Sequence, residues 1–197
     1  MAVKRGPRFK ECRRLGVNVC GHPKALDRAN APAFKSKGKK SDYALHLIEK
    51  QKVRAYYGIL EKQLVRAYEK ASKKAGKTGE NLIIMLETRL DNLVYRLGFA
   101  SSIRMARQMV SHGHILVDGK RINIASFEVK VGSKIELCEK MRNSPQFKAT
   151  FLAQNKKALP YLERDEENFC GKLVSLPLRA DIPVEINDQM VVEYYSK

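Results

Sequence analysis

Long apolar runs, clustered cysteines and acidic side chains are all scarce in this sequence. The longest apolar run, residues 82–86, has five residues, whereas a membrane-spanning helix needs about 20. The first ten residues, MAVKRGPRFK, place no apolar stretch behind their charges, so we expect no secretory signal there. The four cysteines, at positions 12, 20, 138 and 170, are too scattered for a disulfide scaffold. These absences predict a protein of the reducing cytoplasm that does not enter a membrane.

Basic side chains, by contrast, are abundant. The 197 residues include 38 Lys and Arg against 21 Asp and Glu, for a formal net charge of +17. Hydrophobic residues make up 44% of the chain, which is enough for one large or two small folded domains. A folded chain with so large an excess of positive charge is typical of proteins that bind a polyanion such as a nucleic acid.

The positive charge is concentrated in residues 1–41. This segment contains twelve basic and two acidic side chains, together with seven Gly and Pro residues. It shows no sustained helical or strand period, and a segment of this composition does not bury enough apolar surface to fold alone. We therefore predict an extended basic arm that becomes ordered against phosphates. A solvated basic tail is the alternative.

A helical pattern begins after the arm. Ser41 is a suitable N-cap for a helix that reaches Gly58. A second helix is predicted over about 61–75 and a third over about 80–97, and each is followed by a glycine. Their apolar residues recur at intervals of three and four, which indicates a helical core rather than a cofactor site.

The next forty residues contain a short helix and a small β element. A serine at 101 or 102 caps a predicted helix over 103–111. The dipeptide Asp118-Gly119 separates two apolar stretches and is a strong signal for a two-residue hairpin turn. A further strand is predicted over 134–137. Together these elements indicate a compact unit of about fifty residues.

Three stretches of this unit resemble a known RNA-binding module. They are RLDNLVYRLGFA (89–100), SSIRMARQMVSHGHILVDGKRIN (101–123) and VKVGSKIEL (129–137), and the module is shared by ribosomal protein S4, some pseudouridine synthases and bacterial tyrosyl-tRNA synthetases. The flanks are similar to the bacterial ribosomal protein S4 family in the stretches RGPRFKECRRLGV (5–17), SDYALHLIEKQKVRAYYGI (41–59), TGENLIIMLETRLDNLVYRLGF (78–99) and INDQMVVEYYSK (186–197). The resemblance covers essentially the whole chain.

The resemblance implies an α+β fold with three parts. An extended basic arm occupies residues 1–41. A helical domain spans residues 42–87 and is completed by the C-terminal segment 160–197. The inserted module, with two short helices, a small antiparallel β element and a following helix, occupies residues 88–159.

The same resemblance implies a structural ribosomal protein that catalyses no reaction. Members of the family bind the 5′ domain of 16S ribosomal RNA, nucleate assembly of the small (30S) subunit and contribute to translational accuracy. They lie beside the channel through which mRNA enters. The implied partners are 16S rRNA, mRNA and neighbouring proteins such as ribosomal proteins S5 and S3, on cytoplasmic ribosomes.

The candidate RNA-binding residues are mainly cations, which supply positive charge to phosphates at set positions. In the arm they are Lys4, Arg5, Arg8, Lys10, Arg13, Arg14, Lys35, Lys37, Lys39 and Lys40; on the first helix they are Tyr43, Lys50, Lys52 and Arg54; in the module they are Arg104, Arg107, Gln108, Ser111, His112, Lys120 and Arg121. Solvated surface charge is the alternative for each position. The cluster over 35–40 is expected to contact mRNA.

No metal ion or cofactor is predicted. Some relatives carry four cysteines in the arm as a zinc site, but only Cys12 falls on that pattern and Phe9 stands where another cysteine would be. Cys20 and His22 are too few to complete a closed structural zinc site. The sequence therefore indicates a zinc-free form of the family.

No catalytic residue is predicted either. The chain contains no nucleophile elbow and no glycine-rich phosphate loop. An RNA-modifying enzyme or a free RNA chaperone that uses the same module is the alternative function. Residues 139–197 are too few for a catalytic domain, and their acidic stretch over 163–167 is expected to be a solvated loop.

Overall fold

The structure, a computed structural model, describes residues 6–27, 41–153 and 159–196. The chain divides into two compact units. Unit 1 comprises residues 1–83 and 184–197, and unit 2 comprises residues 84–183. In the described ranges the helices are α1 (Arg8–Leu15), α2 (Asp42–Tyr56), α3 (Glu61–Ser72), α4 (Thr78–Glu87), α5 (Leu90–Arg96), α6 (Ile103–Ser111), α7 (Glu139–Arg142), α8 (Pro145–Ala153) and α9 (Asp188–Tyr195). The strands are β1 (Ile115–Val117), β2 (Lys120–Arg121), β3 (Lys134–Leu137), β4 (Leu162–Asp165) and β5 (Cys170–Leu173). These helices, together with an antiparallel sheet, confirm the predicted α+β class.

Unit 1 is held together by the packing of α9, from the end of the chain, on α2. α2 begins at its predicted cap, because Ser41 Oγ accepts a hydrogen bond from the backbone N–H of Ala44 at 3.3 Å. The Tyr195 hydroxyl of α9 donates to Glu61 Oε1 of α3 at 2.8 Å. The backbone N–H of Asn187 donates to Glu49 Oε2 of α2 at 3.0 Å. Residues far apart in the sequence thus close this unit.

The first half of the arm is folded, which differs from the predicted extended segment. In α1, Cys12 and Leu15 are buried and form a small apolar cluster with Ala55 of α2. Phe9 also packs against this cluster, so the apolar side chains recur every three residues. The pattern is too short to stand out before Gly16, which ends the helix at φ +72°. Residues 28–40 lie outside the described ranges.

Unit 2 surrounds an antiparallel five-stranded sheet with the strand order β2-β1-β3-β5-β4. Its core combines side chains from the helices and the sheet, including Leu93 of α5, Val110 of α6, Ile135 of β3 and Phe151 of α8, each at most 1% exposed. The hairpin between β1 and β2 and the strand over 134–137 confirm the predicted β element. α6 also has its predicted bounds.

The predicted third helix is two helices, because the chain bends at Arg89. There the backbone is extended, with φ −66° and ψ 140°. The N–H of Leu90 donates to the carbonyl of Phe127 at 2.8 Å, and that of Asp91 donates to the carbonyl of Ala125 at 3.1 Å. These bonds to a distant loop replace the intrahelical bonds. Because both helices bury apolar faces, the three-and-four spacing continues across the bend and hides it.

The C-terminal segment divides between the units at a different place from the predicted one. β4 pairs with β5, and β5 pairs with β3, so most of residues 160–183 belongs to the sheet of unit 2. The stretch expected to be an acidic loop therefore begins as a strand. Gly171 gave no strand signal, yet a Cβ atom there would lie 2.5 Å from Leu97 Cδ2, so close packing of β5 requires glycine.

A buried polar cluster fixes the start of β4 to the helices of unit 2. The Tyr161 hydroxyl donates to Glu87 Oε1 at 2.8 Å, and Arg96 Nε donates to the same oxygen at 2.6 Å. Burial and the Glu87 carboxylate raise the pKa of Tyr161 far above its usual range. Among the described residues, no helix is both long and apolar enough to span a bilayer.

Candidate nucleic-acid interface

The polar face of α6 is the first part of the candidate interface. Ser102 caps the helix, with its Oγ accepting from the N–H of Met105 at 3.3 Å. Ala106 and Val110 are fully buried and attach α6 to the core. Gln108 and Ser111 lie on the other side and are exposed. The apolar side of α6 is thus attached to the core, and its exposed polar side faces solvent.

The turn after α6 brings in the second part. Gly113 adopts φ +70°, a left-handed conformation that glycine accepts without strain. A Cβ atom on Gly113 would lie 2.9 Å from Cδ of Arg121, so the aliphatic stem of Arg121 lies directly over the turn. Arg121 of β2 and His112 at the end of α6 are thereby brought to one place, and both are exposed.

The hairpin turn sets the position of β2. Asp118 and Gly119 adopt φ +50° and +75°, as a type I′ turn requires. Asp118 Oδ1 accepts from the backbone N–H of Lys134 at 2.8 Å, and this bond lowers the pKa of the Asp118 carboxyl. Lys120 and Arg121, which follow the turn directly, both face solvent.

The charge around this turn is positive. The rings of His112 and His114 lie edge to face, 5.8 Å apart. Partial burial lowers the pKa of His114, and the nearby charges of His112, Lys140 and Arg121 lower it further. Sequence reasoning missed Lys140, because its proximity to His114 depends on the fold. We name the exposed group Gln108, Ser111, His112, Lys120 and Arg121 the module surface.

Arg107 does not belong to the module surface, although it was predicted as an RNA contact. Its guanidinium binds Asp91 of α5 through Nε, at 2.9 Å, and a terminal nitrogen. Asp91 is fully buried and also accepts two hydrogen bonds from Arg89, at 3.0 and 2.9 Å. Arg107 therefore joins α6 to α5. Arg104 is half-buried.

In unit 1, the first helix of the arm presents a separate group of cations. Arg8, Lys10 and Arg14 are exposed. An open pocket of about 740 Å³ is lined by Pro7, Arg8, Phe9, Lys10, Arg13, Lys24 and Asp27. Four of these seven side chains are cationic, so the pocket favours an anion. Lys4, Arg5, Lys35, Lys37, Lys39 and Lys40 lie outside the described ranges.

The predicted cations of α2 are engaged within unit 1. Lys50 is 5% exposed and its Nζ lies 3.0 Å from Glu61 Oε1. Arg54 pairs with the same carboxylate at 3.1 Å, and these contacts, together with the Tyr195 hydroxyl, lower the pKa of Glu61 despite its partial burial. Lys52 pairs with Glu49. Tyr43, in contrast, is 60% exposed.

Within the described part of the chain, no three His, Cys, Asp or Glu side chains come together at metal-binding distance. Cys12 is fully buried, and Cys20 is half-buried and packs against the same cluster. Burial and the neighbouring Cys20 raise the pKa of the Cys12 thiol, which disfavours the thiolate that a metal ion needs. Phe9 packs beside His22, with ring centroids 4.9 Å apart, so aromatic contact occupies this region.

Comparisons with known proteins cover both units. The family described as ribosomal protein S4/S9 N-terminal domain matches residues 4–87, and the S4 domain matches residues 88–135. Over the full length of both chains, the sequence is 51% identical to small ribosomal subunit protein uS4 of Finegoldia magna and 48% identical to protein uS4B of Clostridium acetobutylicum. Protein uS4 of Persephonella marina is 47% identical over 97% of each chain. The chain belongs to the ribosomal protein S4 family.

This membership settles the class of protein. Members are structural proteins of the small ribosomal subunit, and the family is not enzymatic. The S4 domain match contains α5, α6, β1, β2 and the start of β3, so the module surface lies entirely within it. The hairpin signal at Asp118-Gly119 and the two cations after it indicated this surface from the sequence, whereas the contact between Gly113 and Arg121 depends on the fold.

Proposed function

We propose that this chain binds the 5′ domain of 16S ribosomal RNA and nucleates assembly of the small ribosomal subunit in the cytoplasm. The module surface carries the proposal. Lys120, Arg121 and His112 are exposed there, and none of them forms an ion pair within the described residues. Asp118, the acidic residue beside Lys120, accepts a hydrogen bond from the backbone N–H of Lys134. By contrast, the cations of α2 and Arg107 are paired with carboxylates of the fold.

The chemistry of the module surface suits folded RNA. Lys and Arg contact phosphates, Arg also stacks on unpaired bases, and Gln108, Ser111 and His112 offer hydrogen bonds to sugars and base edges. Because the turn at Gly113 sets the positions from which these side chains extend, we expect the module surface to bind folded RNA better than an unstructured strand. The pocket beside α1, which is lined by four cations, gives unit 1 a surface that favours phosphates as well.

Salt dependence tests this function directly. With about 6–10 phosphate contacts, the slope of log affinity against log salt is roughly −4 to −9 for a transcript of the 16S 5′ domain. The Lys120→Gln/Arg121→Gln variant should reduce the magnitude of that slope by about 1.4 to 1.8. A Lys130→Gln/Lys172→Gln variant removes two other exposed charges of unit 2 and is the matched control. Equal behaviour of the two variants contradicts the proposed surface.

We also propose that the lysine cluster over 35–40 contacts mRNA where it enters the small subunit, close to neighbouring ribosomal proteins such as S5 and S3. Four positive charges in six residues attract a single-stranded backbone without reading its sequence. A Lys37→Ala/Lys39→Ala/Lys40→Ala variant should assemble into subunits but translate stable hairpins more slowly. Equal slowing on unstructured messages, or failed assembly, contradicts this role.

A further inference from the structure

α3 carries a row of cations that the candidate interface does not include. Lys62, Arg66, Lys70 and Lys73 are all exposed, and we call them the α3 basic face. With 3.6 residues per turn, these four positions fall within about 80° of the helix circumference. Leu64 and Ala71, on the opposite side, are fully buried, so the helix holds the row outward.

The charges of the α3 basic face are not paired with acidic side chains within the described residues. The structure shows no hydrogen bond or ion pair to the side chains of its four members in that part of the chain. The acid of α3 that does form ion pairs, Glu61, points to Lys50 and Arg54. Like charges at positions i and i+4 repel each other and destabilise a helix. A bound polyanion would relieve this repulsion.

Resting on the proposed function, we propose that the α3 basic face is a further RNA-binding surface, which holds the phosphate backbone of an RNA helix independently of sequence. Lys62, Arg66 and Lys70 rise along the helix by about 6 Å per step, a repeat on the scale of neighbouring phosphates in one strand. No apolar side chain lies between them on this face. The row therefore follows a charged strand.

An acidic protein is a poorer fit to the α3 basic face than RNA. The centres of protein interfaces are depleted of lysine and built around aromatic and apolar anchors. The exposed residues that flank the row are Gln63, Glu69 and Ser72, none of which is such an anchor. A surface made of long, flexible cations alone is typical of backbone contact with nucleic acid.

The test uses the full-length chain and two probes, a transcript of the 16S 5′ domain and an unrelated RNA duplex. The Lys62→Gln/Arg66→Gln/Lys70→Gln variant should bind both RNAs about 10- to 100-fold more weakly at 0.1 M salt, with a salt slope smaller in magnitude by about 2 to 3. The control Lys130→Gln/Lys148→Gln/Lys172→Gln removes three exposed charges of unit 2 and should change binding little.

A variant of opposite sign completes the test. Glu69 is exposed and borders the row, so Glu69→Gln should strengthen binding by about twofold to fivefold. Far-UV circular dichroism checks folding. If the triple variant fails to fold, two other variants decide whether the α3 basic face binds RNA. One is Glu69→Gln, and the other is the charge-conserving Lys62→Arg/Lys70→Arg, which should bind like the wild type.

The possible failures are distinct. If the triple variant and its control bind both RNAs equally, or if Glu69→Gln has no effect, the α3 basic face is a solvated surface and the inference is wrong. If the wild type binds the 5′ domain no more tightly than the unrelated duplex, the proposed function fails. The slope measured with the duplex then still decides whether the α3 basic face binds phosphates.

Discussion

Replacing Arg107 by Gln separates a structural role from an RNA contact. Arg107 donates two hydrogen bonds to the carboxylate of Asp91, whose side chain is 1% exposed. A hydrogen bond to a charged group contributes about 1.5 to 3 kcal/mol, and breaking a buried ion pair costs about 3 to 5 kcal/mol. Because Arg89 still holds Asp91, we expect a loss of about 2 to 3 kcal/mol from the free energy of unfolding.

Arg121→Gln is the matched control, since it removes the same charge from an exposed position. This change should alter the free energy of unfolding by less than about 0.5 kcal/mol and reduce the magnitude of the salt slope for RNA binding by about 0.7 to 0.9. Arg107→Gln should do the reverse and leave the slope as it is.

Urea unfolding followed by circular dichroism, together with RNA titrations at several salt concentrations, measures both quantities. An Arg107→Gln protein as stable as the wild type, with a reduced salt slope, would refute the structural assignment of Arg107. The double variant Asp91→Asn/Arg107→Gln adds a further check, because a group paired with Arg107 should make the two substitutions non-additive.

Four further predictions concern the arm, the turn and pH. Purified protein should contain no stoichiometric zinc by elemental analysis, and one zinc per chain would contradict the zinc-free assignment. Gly113→Ala should lower the free energy of unfolding by about 1 to 2 kcal/mol in urea titrations, because φ +70° is strained for alanine and the new methyl group meets Arg121. Burial and neighbouring positive charges lower the pKa of His114 in the folded chain, so folding disfavours its protonation. The free energy of unfolding should therefore fall as pH drops below about 6.5, and His114 should not change it above that pH. The thermal stability of the His114→Gln variant should lack this pH-dependent part. Deleting residues 1–41 should weaken RNA binding and lower the thermal stability of unit 1, because α1 packs against α2 of that unit.

Elements with strong local signals were predictable from the sequence. Ser41, Ser102 and Asp118-Gly119 mark helix caps and a hairpin turn by the chemistry of single side chains, and all three are confirmed. The bend at Arg89 and strand β5 were missed. Both depend on partners far away in the chain, namely a loop carbonyl for the bend and Leu97 for Gly171.

The candidate site shows the same limit. Residue type identified the cations, but it did not distinguish exposed cations from those that pair with carboxylates of the fold. In the sequence, Lys50 and Arg107 look no different from Lys120 and Arg121. In the structure, Lys50 pairs with Glu61 of α3 and Arg107 pairs with Asp91 of α5. The regular spacing of the cations on α3 was visible in the sequence. That these cations face solvent follows only from the burial of Leu64 and Ala71 on the opposite side of the helix.

The use of α9 to close unit 1 has a consequence for how the chain folds during its own synthesis. Unit 2 is continuous in sequence, so all of its residues have been added before residues 184–197 are made. The contacts of Asn187 with Glu49 and of Tyr195 with Glu61 form only after α9 has been made. The inserted unit can therefore fold first, while its host waits for the C-terminus. A chain that terminates before α9 keeps an intact S4 domain but has an open helical unit, with the α2 surface that α9 covers exposed to chaperones and proteases.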